Sequence, residues 1–94
     1  MSTKSDAAAV AVESIEIAFN NSTNTVHDFV ANVTGLAIKT TADVRIGFDQ
    51  PANSDDFLLA STDGLLVLDR CHCTKLYVLG NSGSGTVYVI GLRR

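Results

Sequence analysis

The chain has no tryptophan, a single proline, two cysteines and only 18 % charged residues in its 94 positions. Each scarcity excludes something. Cys71 and Cys73 cannot supply the several pairs that staple a small secreted chain. Placed on one strand they point the same way with Cα atoms about 6.5 Å apart, too far for a comfortable bond. Two free, reduced thiols are expected. Seven cationic residues stand against ten anionic ones, for a net charge of −3. Lys39, Arg45, Arg70 and Lys75 are scattered, so no basic stripe exists to track phosphates, and nucleic acid is not an expected partner. No run approaches the ~20 apolar residues of a membrane span. The Ala-rich segment before Val12 follows one lysine and Asp6 and continues into strand-like residues, unlike a secretory leader. The reading is a protein made in a cytosol, with no membrane partner.

What is present is apolar material, 46 % of the chain, arranged with a period of two. Residues 1–9 carry no partner pattern and read as a flexible N-terminal arm, and residues 10–94 read as one domain. Ile15, Ile17 and Phe19 alternate with Ser14, Glu16 and Ala18, and Val44, Ile46 and Phe48 alternate with Arg45 and Gly47. This is the signature of half-buried strands. Further strands are expected over residues 26–33, 36–39, 57–59, 65–68, 75–80 and 86–92. Asn20-Asn21-Ser22-Thr23-Asn24 and Pro51-Ala52-Asn53-Ser54-Asp55-Asp56 mark turns, because short polar side chains bond their own backbone there. Asp63-Gly64 and Asn81-Ser82-Gly83-Ser84-Gly85 read as hairpin turns. With no helical stripe, the fold class is all-β: a small antiparallel β-sandwich or jelly-roll-like barrel.

Four groupings invite chemistry, and none has the spacing that chemistry needs. Cys71-His72-Cys73 carries zinc-ligand types, but a structural site wants four ligands in two spaced pairs and a strand would turn His72 away from both sulfurs. A nucleophile pair of Cys73 with His27 has no local signature. Asp49, Asn53, Asp55, Asp56 and Asp63 do not follow the alternating pattern of a calcium loop. Gly83-Ser84-Gly85 runs into a strand where a phosphate loop needs a helix. No catalytic residue, metal or cofactor is expected, and the chain is read as a non-enzyme.

The last two strands hold the informative oddity. Leu76 and Val78 project to one side and Tyr77 and Leu79 to the other. Val87 and Val89 likewise oppose Tyr88, Ile90 and Leu92. A hairpin built from them is apolar on both faces, and a two-layer sandwich buries only one face of each sheet. These nine residues are therefore the candidate interface, and homo-oligomerisation as a dimer or trimer is the expected way to cover them.

The run Ala42-Asp43-Val44-Arg45-Ile46-Gly47-Phe48-Asp49-Gln50-Pro51-Ala52, with Phe57-Leu58-Leu59, Lys75-Leu76-Tyr77-Val78-Leu79-Gly80 and Gly83-Ser84-Gly85-Thr86-Val87-Tyr88-Val89-Ile90-Gly91, resembles the small β-sandwich virion proteins of tailed bacteriophages. Capsid cement and decoration proteins are among them. The similarity spans roughly positions 40 to 92. It implies a structural role on the capsid surface of a virion assembled in the host bacterial cytoplasm, with the major capsid protein or another virion protein as partner. Related small β proteins serve as tail, head-tail adaptor or fibre-base components. A carbohydrate-binding module is the alternative of another class, with few aromatics to serve it.

Overall fold

A computed structural model describes residues 10–93; the expected arm over residues 1–9 lies outside the described residues, as does position 94. Eight strands follow one another: β1 (Val10–Phe19), β2 (Thr25–Asp28), β3 (Gly35–Thr40), β4 (Val44–Phe48), β5 (Phe57–Leu59), β6 (Leu66–Leu68), β7 (Lys75–Gly80) and β8 (Gly85–Arg93). They form two four-stranded antiparallel sheets, sheet A in the order β1-β8-β3-β6 and sheet B in the order β2-β7-β4-β5. The first strand pairs with the last, the second with the seventh, the third with the sixth and the fourth with the fifth. Two more ladders, β3 with β8 and β4 with β7, join these pairs side by side. That is a long antiparallel ribbon rolled on itself, the winding of a jelly roll. Of the seven connections only β4 to β5 stays within one sheet; the other six cross the sandwich.

Both expected hairpins are corrected by this winding. A two-residue turn of the expected type needs positive φ at two adjacent residues. Here Gly64 alone provides it, at φ 75. Ser61–Asp63 instead form a 3-10 turn, fastened where the Ala60 N–H donates to the Asp63 carboxylate at 2.9 Å, and β5 and β6 end in opposite sheets. The loop 81–84 likewise carries the chain from sheet B to sheet A. The end of β7 is claimed by other segments: the Gly80 N–H donates to the Asn20 carbonyl at 2.7 Å and that of Asn81 to Asp43 at 3.0 Å.

The period-2 residues meet between the sheets. Ile17 and Phe19 of β1, Leu36 and Ile38 of β3 and Val87 and Val89 of β8 pack against Val44 and Ile46 of β4, Leu59 of β5 and Leu76 and Val78 of β7. The strand expected over residues 26–33 stops at Asp28. Beyond it the Phe29 N–H still reaches the Thr74 carbonyl at 2.8 Å. The next amides, of Val30 and Ala31, turn to the Glu13 carboxylate at 3.0 and 3.2 Å, so the segment closes the end of the sandwich as a loop, with Val33 buried beneath it.

Candidate interaction face

The crossing loops split the nine candidate interface residues among three places. Leu76, Val78, Val87 and Val89 are at most 1 % exposed, in the core, and form no outer contact in this fold. Tyr77 and Leu79 lie on the outer side of sheet B, Tyr88, Ile90 and Leu92 on that of sheet A. The supposed single hairpin face is thus two surfaces on opposite sides of the molecule. The physical reason is that β7 and β8 are neighbours in sequence and not in a sheet.

The two outer surfaces are treated differently. Over sheet B the β4–β5 loop folds back as a roof. Gly47, paired with Tyr77, lies so close under Gln50 and Ala52 that a side chain there would strike the Gln50 carbonyl. Asn24 holds the loop by donating to the Ala52 carbonyl at 3.0 Å and accepting from its N–H at 2.9 Å. Arg45, paired with Leu79, donates from its guanidinium to the Asp56 carbonyl at 2.9 Å. Ala52 is buried and Tyr77 and Leu79 are half-buried as a result.

Sheet A has no such cover among the described residues. Its outer side reads in cross-strand rows. One row runs Ser14, Ile90, Ala37, Val67, and the next runs Glu16, Tyr88, Lys39, with Leu65 beside it at the rim. Leu65 is 61 % exposed, Val67 54 %, Tyr88 41 % and Ile90 39 %. A shallow depression of about 520 Å³ lies among Ser14, Glu16, Ala37, Lys39, Leu65, Tyr88 and Ile90. The Lys39 ammonium stands 5.9 Å from the centre of the Tyr88 ring, within cation–π range. Sequence reasoning placed Tyr88 and Ile90 here and missed their neighbours. The two-sided apolar run Leu65-Leu66-Val67-Leu68 was the available signal, but only the β3·β6 ladder brings its outer residues to this face.

The polar clusters resolve into structural ties. A β-bulge at Val12 precedes Glu13, whose carboxylate meets the His27 ring at 2.6 Å across the sandwich and accepts the Val30 and Ala31 amides. Burial pushes the Glu13 carboxyl up, but the hydrogen bonds from His27, Ala31 and Val30 outweigh it and hold it below the ordinary value of 4.5. His27 therefore pairs with Glu13. A group held ionised by the fold stabilises it fully above its unfolded value, and the contribution disappears as pH falls through the depressed folded value. Glu13→Gln should lower stability by about 1 kcal/mol at pH 7, and the gap to the natural protein should close as pH falls below 4.5; urea unfolding at pH 7, 5 and 3 checks this.

The carboxylates tried as a calcium set serve separate backbone amides. Asp49 accepts from Thr74 and Lys75, Asp56 from Asn53 and Asp63 from Ala60. Asp49 does so at φ 61, a left-handed backbone that aspartate tolerates better than most residues. Among the described residues no three His, Cys, Asp or Glu side chains gather as a metal site. Cys71 and Cys73 are free thiols. Burial pushes the Cys73 thiol up to about 12, the adjacent Cys71 adding to it, so almost no thiolate forms at neutral pH.

Comparison with known proteins adds no relative: no family model, no curated protein and no solved structure matches this chain.

Proposed function

We propose that this chain is a non-enzymatic structural protein of a virion, a capsid cement protein that binds the assembled bacteriophage head and stabilises the joints between capsid subunits. The observation that carries the reading is the apolar outer side of sheet A, where four large side chains are between 39 % and 61 % exposed with no loop over them among the described residues, while on the outer side of sheet B the β4–β5 loop covers Tyr77 and Leu79 and leaves Val26 46 % exposed. A contiguous apolar patch of this kind marks an association surface. The jelly-roll winding, a fold also used by viral capsid domains, adds an analogy of architecture. Cementing needs no chemistry beyond burial: a protein that binds the assembled shell and not the separated subunits stabilises the shell by mass action.

A tail or head-tail adaptor role uses the same surface physics and differs only in the particle part engaged. A sugar would need the open ring of Tyr88, where the Lys39 ammonium stands, and the flanking Leu65, Val67 and Ile90 suit a protein surface better than a glycan. The test is co-sedimentation with purified phage heads lacking this protein. Saturable binding in many copies per head, with a raised disruption temperature of the shell, is expected. Absence of binding to heads at micromolar protein overturns the cement role, and binding to tails alone transfers it to the adaptor.

A further inference from the structure

We infer that the outer side of sheet A is a self-complementary surface that seats a second copy of this chain about a twofold axis running along β8. The inference rests on reading this face as an association surface and names its occupant: the dimer covers it, so contact with the head falls to the surfaces the dimer leaves open. The evidence is the order of charges in one cross-strand row: Glu16 on β1, Tyr88 on β8 and Lys39 on β3. The two charges flank the tyrosine at one strand spacing each, so about 10 Å separates their strands. A twofold axis lying in the interface along β8 exchanges left and right. It sets Tyr88 against Tyr88, and it lays Glu16 of each copy over Lys39 of the other, making two ion pairs around a buried aromatic centre. A twofold axis across the strands would instead stack like on like, glutamate over glutamate and lysine over lysine, so the charge order selects the first arrangement.

The neighbouring row fits the same operation. Ile90 meets Ile90 on the axis, and Ser14 lies over Ala37 of the other copy, small over small, which lets the sheets approach. Leu65 and Val67, the most exposed apolar members of the face, then reach past β1 of the opposite copy, where a ten-residue strand has one neighbour among the described residues. Isologous packing of this kind closes on itself as a dimer, and twisted sheets pack with their strands nearly aligned. A dimer also carries two copies of every remaining surface, the two attachment points that bridging adjacent subunits requires.

The experiment is a charge exchange read by sedimentation velocity between about 1 µM and 1 mM protein, with circular dichroism confirming that each variant is folded. The natural chain should show a concentration-dependent dimer, weakened by 1 M salt. Glu16→Lys and Lys39→Glu, each alone, place like charges opposite and should raise the dissociation constant at least tenfold. The double variant Glu16→Lys with Lys39→Glu restores opposite charges across the axis and should recover dimerisation to within about threefold. A natural chain monomeric at 1 mM, or folded single variants that dimerise undiminished, or a double variant no better than the singles, overturns the proposal. Head binding by a strictly monomeric chain would sink this inference and leave the cement reading standing; a dimer that ignores heads would do the reverse.

Discussion

Leu76→Ala should lower the stability of the domain by about 2–5 kcal/mol, the range for emptying a fully buried leucine site, whereas Val67→Ala should stay within about 0.5 kcal/mol. The contrast follows from position. Leu76 is 0 % exposed in the centre of sheet B, flanked by His27 of β2 and Phe48 of β4, and belongs to the core shared by both sheets. Its removal loses the transfer energy of the deleted atoms and leaves a hole that rigid strands on both sides cannot close. A small domain has about 5–15 kcal/mol in total, so this one truncation consumes a large part of it. For a domain of this size, each 1 kcal/mol moves the midpoint by about 4–8 °C, and the Leu76→Ala midpoint should fall by about 8–40 °C in a calorimetric scan. Val67 is 54 % exposed on the outer side of sheet A and supports nothing beneath it in the monomer. A Leu76→Ala midpoint within a few degrees of the natural protein would show that this side chain is not in the centre of the core. A large loss at Val67, measured at a concentration where the chain is monomeric, would place it under cover within the monomer.

The fold class was legible because the alternation of Ile15, Ile17, Phe19 and of Val44, Ile46, Phe48 is local, and these residues face inward as their period requires. Pairing was not legible. Asp63-Gly64 and the glycines after Asn81 are hairpin signals only if the flanking strands share a sheet, and here the long-range ladders of β3 with β6 and of β1 and β3 with β8 decide otherwise. Hence the two-faced apolar pattern of β7 and β8 was read correctly strand by strand and assembled wrongly as one surface. Glu13 gave no sign of its role either. Its inward side follows the alternation of Ile15, Ile17 and Phe19, but its link to His27 depends on the fold bringing β1 over β2. The roof over sheet B rests on Asn24 reaching Ala52, 28 positions away, a contact with no local signature.

Two glycines three positions apart in one turn should respond to alanine with opposite signs. At Gly80, which ends β7, a Cβ would collide with the carbonyl oxygen of Gly83 and lie 3.1 Å from the backbone of Asn20. Those are backbone atoms and cannot swing aside as a side chain tip would. The Asn20 carbonyl is also fixed by the Gly80 N–H at 2.7 Å, so relieving the clash strains the link between the β1–β2 turn and the β7–β8 crossing. Overpacking of this kind costs about 1–3 kcal/mol, against a gain of about 0.4–1 kcal/mol from a less flexible unfolded chain. Gly80→Ala should therefore be clearly destabilised. At Gly83 the Cβ meets open space and the backbone is not left-handed, so only the unfolded-state gain applies and Gly83→Ala should be unchanged or more stable by up to about 1 kcal/mol. Urea unfolding of the two variants beside the natural chain reads both signs with one control. Equal effects would mean that the turn over residues 81–84 does not fold back on Gly80, and that the crossing from sheet B to sheet A takes another path.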